Sequence, residues 1–187
     1  MSKTQDTALR LMIVDDSREA AEGIVSTLRN AGIAVRPLRP ASEEELGAML
    51  GGQPVDMVVA QHDSTALPLA TVLQQVAATG KDIPVLAMAD AVGHDAYVQA
   101  LTAGARALAP REPAPLLLAV VRDAWADLDA RRAQRRLEAR LRETERRCDA
   151  LIDSSRDPIA YVHEGMHIRA NAAYLEMFGY DDFEDIE

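Results

Sequence analysis

Short aliphatic runs alternate with stretches of helical spacing through the first 113 residues. Leu9 to Val14 (LRLMIV) predicts a strand that ends on two aspartates, and Ser17 to Asn30 sets Ala21, Ile24, Val25 and Leu28 on one helical face before Gly32. Ile33 to Leu38 is the second strand. Ser42 with Glu45 forms a capping box that opens a helix through Leu50, and Val55 to Ala60 (VDMVVA) is the third strand. A helix over Leu67 to Ala78, a strand over Ile83 to Met88, a helix over Asp95 to Ala103 closed by Gly104, and a strand over Ala105 to Ala109 complete the series. Strands this apolar, each followed by a helix, predict an α/β fold: a five-stranded parallel, doubly wound sheet covered on both faces. In such a sheet the functional crevice lies beyond the carboxyl ends of the strands. The residues placed there are Asp15 and Asp16, Gln61, Ala89 and Arg111.

From Pro115 the helical pattern does not stop. Val121, Trp125 and Leu128 recur at spacings of 4 and 3, and Ala130, Ala133, Leu137, Leu141, Thr144, Cys148 and Leu151 follow at 3, 4, 4, 3, 4 and 3. This is a heptad-like seam with one irregular step, flanked by DARRAQRRLEARLRETERR. A helix over residues 115 to 150 would span ~54 Å and needs a partner for its apolar stripe. The first expectation is a homodimer through a parallel coiled coil, with Trp125, Leu128, Leu137, Leu141, Cys148 and Leu151 in the interface. The alternative is packing back onto the N-terminal domain. Glu138, Glu143 and Glu145 interleave with the arginines, which suits solvated ion pairs rather than a nucleic-acid surface. Cys148 at a seam position reads as a small core residue.

Charge divides the chain into the same segments. Residues 1 to 113 carry 9 basic and 14 acidic side chains, 114 to 150 carry 9 and 7, and 151 to 187 carry 2 and 9. The 187 residues have a net charge of −10, which opposes phosphate binding, and the first 113 hold a single aromatic, Tyr97, so bases find no stacking platform. DNA and RNA are therefore excluded as principal ligands. With 48% hydrophobic residues the chain can bury an ordinary core. Its longest apolar runs fall short of the ~20 residues that cross a bilayer, so no membrane insertion is expected. A single cysteine precludes an intrachain disulfide, and Met1 to Arg10 lack the pattern of a signal peptide, so a cytoplasmic location is expected.

LMIVDDS, VDMVVAQ, IPVLAMA and GARALAPRE together resemble the receiver domain of two-component signalling over about residues 8 to 125. The resemblance implies that the acidic pair Asp15 and Asp16 would hold Mg²⁺, an aspartate after the third strand would accept a phosphoryl group, a Ser or Thr after the fourth would bind it, and a lysine after the fifth would pair with it. Here only the acidic pair matches. The other positions hold Gln61, Ala89 and Arg111, and the aromatic switch position in the fifth strand holds Leu108. An aspartyl phosphate requires a carboxylate nucleophile, which the amide of Gln61 cannot supply. Losing the third carboxylate also weakens any Mg²⁺ site, so no resident metal or cofactor is expected beyond weak Mg²⁺ binding at Asp15 and Asp16. The competing reading of that pair is structural: carboxylates that cap the first helix. Arg111 is then a surface residue or a partner for one of them. Asp63, two residues beyond Gln61, is the one displaced acceptor to consider, against a solvated loop aspartate. His62 lacks the company of a metal site and reads as a loop histidine.

LIDSSRDPIAYVHEGMHIRANAAYLEMFGYDDFEDIE resembles the start of a PAS domain. DPIAYV is its first strand, Glu164 and Gly165 the turn, MHIRAN the second strand and AAYLEMFGY the following helix. His163 and His167 stand across a turn and do not share a helical face. Only 37 residues of this domain are present, so the chain reads as the N-terminal portion of a larger protein, divided as 1–113, 114–150 and 151–187. The order of degenerate receiver, helical connector with ERRCDALIDSS and PAS start resembles FimX-type proteins. The resemblance implies GGDEF and EAL domains downstream, cyclic-di-GMP signalling, and control of type IV pili and twitching motility. It implies a regulatory, non-enzymatic role for this segment, with a protein partner docking on the receiver-like domain. The alternative is a phosphorylatable receiver, using Asp63, of a sensor histidine kinase or a diguanylate cyclase.

Overall fold

The computed structural model describes residues 8–186. Five parallel strands, β1 (Leu9–Val14), β2 (Val35–Leu38), β3 (Met57–Gln61), β4 (Val85–Ala89) and β5 (Ala107–Pro110), form one sheet in the order β2-β1-β3-β4-β5. The helices between them are α1 (Arg18–Asn30), α2 (Glu43–Gly52), α3 (Leu69–Ala78) and α4 (His94–Thr102), and α5 runs over Ala114–Ser154. The expected doubly wound sheet is thus present. Contacts divide the chain into two compact units, the first running to Ala130 and the second starting at Arg131.

Because side chains alternate across a strand, each apolar run feeds two cores. Met12, Val14, Val58, Ala60, Val85, Ala87 and Leu108 face one way, onto Leu46, Leu50, Leu69, Val72, Val76 and Ala100 of α2, α3 and α4. Leu9, Leu11, Ile13, Met57, Val59, Leu86, Met88 and Ala109 face the other way, onto Ala21, Ile24, Val25 and Leu28 of α1 and Leu117, Val121 and Ala124 of α5. One partly buried ion pair pins β1 to the residue before β3. Arg10 Nη2 lies 2.6 Å and Nε 2.8 Å from the Asp56 carboxylate, which also accepts the Arg10 backbone N–H at 3.0 Å.

Several boundaries move for local reasons. The second strand starts at Val35 rather than Ile33, since the Ile33 N–H still bonds Leu28 O as the chain leaves α1. The fifth starts at Ala107 because Ala105 N–H bonds back to Ala100 O at the end of α4. Pro68 precedes the first residue of α3, which opens at Leu69. Gly104 adopts φ +106°, a conformation L side chains rarely take, and there the chain turns from α4 into the strand.

The long helix divides into two fates, and this corrects part of the expected interface. Leu128 is buried and Trp125 is half-buried against the α1 side of the sheet, so both belong to the first unit's own packing and not to a dimer seam. Packing back, the alternative raised for the whole stripe, holds for this stretch. Every residue from 133 to 151 is exposed, including Leu137, Leu141, Cys148 and Leu151, and the helix continues past 150 to Ser154.

In the second unit, β6 (Ala160–His163) and β7 (Met166–Ala170) form an antiparallel hairpin, followed by α6 (Ala172–Phe178) and a 3₁₀ turn over Phe183–Ile186. Glu164 (φ 51°) and Gly165 (φ 86°) make the tight turn expected there. Asn171 is the only buried residue among the described residues of this unit. Its Oδ1 accepts the N–H groups of Ile159 and Tyr174, and its Nδ2 donates to the carbonyls of Ile152 and Asp157. One amide thereby joins the end of α5, the hairpin and the N-terminus of α6. Arg169 of β7 adds ion pairs to Asp149 and, at 3.0 Å, Asp153. His167 Nε2 lies 3.0 Å from the Tyr174 hydroxyl.

Candidate functional site

Parallel strands all deliver their carboxyl ends to one edge, so Asp15 and Asp16 after β1, Gln61 at the end of β3, Ala89 at the end of β4 and Arg111 after β5 meet there. The Asp15 side chain is 1% exposed, and its Oδ2 lies 2.7 Å from Arg111 Nη1. Its Oδ1 accepts the Ser17 N–H at 2.8 Å. Arg111 also donates from Nε to Asp90 Oδ1 at 2.8 Å, and its backbone N–H bonds Ala89 O. Burial works against the charged guanidinium, but the hydrogen bonds to Asp15 and Asp90 outweigh it and raise its pKa.

Asp16 is held differently, by the loop that follows β3. Its Oδ1 accepts the Ser64 hydroxyl at 2.6 Å, and its Oδ2 accepts the Thr65 N–H at 2.9 Å and the Thr65 hydroxyl at 3.0 Å. These donors favour the ionised form, Ser64 most strongly, and hold the Asp16 pKa down to about 2. Gln61 bridges the two elements: its Oε1 accepts the Asp16 N–H at 3.1 Å, and its Nε2 donates to Asp63 Oδ1 at 3.0 Å. Asp63 therefore pairs with the neighbouring amide. Ala89 is buried and brings only a methyl group, while Leu108 packs into the core on the α2 to α4 face.

The acidic pair does not cap the first helix. Ser17 does, accepting the Ala20 N–H at its hydroxyl, and Asp15 secures the backbone N–H of that cap residue. Arg111 is the partner of Asp15, one of the two roles anticipated for it. Sequence reasoning missed Asp90, Ser64 and Thr65. Asp90 directly follows Ala89, and the Asp63-Ser64-Thr65 run offered three short polar side chains after β3.

The Mg²⁺ that a receiver resemblance implies can be tested against these donors. An octahedral magnesium ion needs carboxylate oxygens free to face it and tolerates no neighbouring cation in its place. Here both Asp15 oxygens are engaged, one by a guanidinium, and Asp16 spends its oxygens on the Ser64 and Thr65 donors. The third position is an amide whose oxygen already accepts an N–H. These residues do not fit the ion. Among the described residues no cluster of three or more His, Cys, Asp or Glu offers another metal site, and no helix is long and apolar enough to cross a membrane.

No family model matches the chain, and no curated protein matches it either. Solved structures do. A response regulator receiver protein from Burkholderia phymatum is similar at 24% identity and a TM-score of 0.54, covering 63% of this chain and 95% of that one. A CheY-like receiver domain protein from Methanospirillum hungatei JF-1 is similar at 16% identity and a TM-score of 0.55, over 67% of this chain and 99% of its own. A fusion carrying a trimeric coiled-coil segment of yeast Spc42 aligns over 78% of this chain and 97% of that one, at 16% identity and a TM-score of 0.59. At such identities the likeness is one of fold, and the fold is the receiver's: a five-stranded, CheY-like parallel sheet with helices on both faces, continued by a long helix.

Proposed function

We propose that this chain is a regulatory module whose receiver-like domain works without phosphorylation, at the head of a cyclic-di-GMP signalling protein of the FimX type. The observation that carries the reading is the pairing of Arg111 with Asp15 beside Gln61. A receiver that works by phosphotransfer keeps an acidic, metal-competent pocket with a carboxylate nucleophile. In this chain a fixed cation pairs with Asp15 and an amide occupies the nucleophile's position, so the arrangement favours one conformation held permanently over a chemical switch. A partly buried guanidinium against a buried carboxylate makes phosphate unnecessary for holding the strand ends together. The domain then offers its surface to a protein partner and passes that input along α5.

This reading divides the chain into a receiver-like domain over 1–113, a connector over 114–150 and a PAS start from 151, and the long helix over Ala114–Ser154 supports the connector. The hairpin and helix over Ala160–Phe178 follow the order expected of a PAS start and support that part of the reading. In this reading the nucleotide-binding GGDEF and EAL domains follow, the protein acts in the cytoplasm on type IV pili and twitching motility, and the segment itself performs no catalysis. It self-associates through the exposed part of α5, at Leu137, Leu141, Cys148 and Leu151. The test of the phosphorylation-independent role is to add acetyl phosphate or beryllofluoride with Mg²⁺ and examine the chain by mass spectrometry and NMR. The expected result is no adduct and no shift around Ala89. A stoichiometric adduct on Asp63, or switch-like shifts at Ala89, overturns the reading.

A further inference from the structure

The stretch of α5 from 133 to 151 is exposed yet carries an apolar stripe, and its charges are arranged in a way that solvation alone does not explain. Leu137, Leu141, Thr144, Cys148 and Leu151 recur at 4, 3, 4 and 3, which are successive d, a, d, a and d positions of two regular heptads. The flanking g positions are then Arg140 and Arg147, and the flanking e positions are Glu138 and Glu145. One flank of the stripe is basic and the other acidic.

Two of these four have partners on their own helix. Arg147 pairs with Glu143 at 2.8 Å, and Glu138 accepts from Gln134 at 2.9 Å. Among the described residues, the side chains of Arg140 and Glu145 make no ion pair or hydrogen bond, and their spacing of five residues does not let them meet on one helix. In a parallel two-stranded coil, however, a g residue of one chain faces the e residue five positions further on in the other. Residue 140 then faces residue 145, and the two unsatisfied charges become complementary, twice by symmetry. The self-paired Arg147 would face Ile152, and Glu138 would face Ala133, neither of which offers a counter-charge. An antiparallel arrangement sets g against g and e against e, placing arginine flank on arginine flank and glutamate flank on glutamate flank.

The chain's own hairpin leaves this stripe open. Its bonds to α5 go to Asp149, Ile152 and Asp153, while Leu151 between them stays exposed. A helix of such polarity is marginal alone in water, and the uncovered stripe supplies the contact that would order it.

We propose that this stripe docks a second copy of the chain, parallel and in register, with Arg140 of each copy against Glu145 of the other. The inference rests on the self-association reading above and adds its register and the charge pair that fixes the parallel orientation. In this register the a layer at residue 148 sets the two Cys148 side chains face to face, with Cα atoms inside the ~4.4 to 6.8 Å window of a disulfide. An antiparallel pairing centred on Thr144 would separate them by ~12 Å along the axis.

The experiment uses the chain as it stands, at several hundred micromolar. Sedimentation equilibrium should report a dimer, and Leu137→Asp with Leu141→Asp a monomer with unchanged unfolding of the first unit. Mild oxidation should link the wild-type chain through Cys148 far faster than the Leu137→Asp/Leu141→Asp chain. Arg140→Glu and Glu145→Arg should each weaken the dimer roughly fivefold, and the two together should restore it. A dimer that cross-links no faster than the seam variant, a charge-exchanged double variant no tighter than the singles, or a trimer overturns the orientation and register while self-association stands. A wild-type chain that is monomeric throughout overturns both.

Discussion

Two stretches of the same helix carry stripes at the same alternation of three and four residues and meet opposite fates. Leu117, Val121, Ala124 and Leu128 lie under the sheet, with Leu128 1% exposed, whereas Leu137 is 64% exposed a little over two turns later. The difference is not in the helix. It comes from what the preceding chain provides: Leu86, Met88 and Ala109 of the sheet, and Ile24 and Leu28 of α1, form a floor for the first stretch. Arg106 Nη2, 3.0 Å from Asp127 Oδ2, and Arg122, donating to Ala31 O, then fix its position over that floor. Beyond Ala130 the floor ends and the sequence turns to arginine. Periodicity therefore reports that a stripe exists, and the number of apolar strands left to cover it decides whether it is core or surface.

The strongest test of this contrast is the same truncation made in both places. Leu128→Ala removes a side chain that is fully packed and leaves a cavity, so urea unfolding of the first unit should lose about 2 to 5 kcal/mol. Leu137→Ala should leave that transition unchanged within about 0.5 kcal/mol. Equal losses at the two positions would mean that the exposed stretch contributes to the stability of the first unit, and the division would fail.

The contrast also explains what was legible in the sequence. The sheet was, because each strand's apolar run and each helix's spacing agree with what the structure buries, down to Ala21, Ile24, Val25 and Leu28 on α1. The crevice residues were legible too, since parallel topology alone brings the ends of β1, β3, β4 and β5 to one edge. The fate of Trp125 and Leu128 was not, because spacing carries no information about the covering surface. The loop around Asp16 was equally hidden: Ser64 and Thr65 sit in a polar run without period, and their role depends on a turn that brings them back across 48 and 49 positions.

A second, smaller effect compares arginines rather than leucines. Arg111 faces a buried carboxylate, so Arg111→Ala strands Asp15 without its counter-charge and should cost about 1 to 3 kcal/mol in the same urea transition. Arg140→Ala removes an exposed side chain that makes no ion pair among the described residues, and the first unit should not register it. Arg111→Lys should recover part of the loss, because one ammonium can replace the contact to Asp15 or to Asp90 but cannot span both as the guanidinium does. If Arg111→Ala unfolds no more easily than wild type, the ion pair is not what holds these strand ends together.

The smallest effect concerns Asp16, which is exposed yet held by the loop that follows β3. The Ser64 hydroxyl and the Thr65 N–H and hydroxyl hold its carboxylate in the ionised form, moving its pKa from an ordinary 3.8 to about 2. Because the folded value lies below the unfolded one, the contribution of these bonds to stability is complete above the ordinary value and is lost as pH falls through the folded value. Stability attributable to this group should thus decline between about pH 4 and pH 2. Carbon-detected NMR of the aspartate carboxyls should find Asp16 titrating near the low end of that interval. Ser64→Ala should raise the midpoint, since it removes the strongest of the donors, and Asp16→Asn should flatten the corresponding part of the stability profile. A wild-type midpoint at the ordinary value would mean that the loop does not close on Asp16 in solution. Its oxygens would then be free to face a cation, and the argument that this pocket does not fit Mg²⁺ would rest on Arg111 and Gln61 alone.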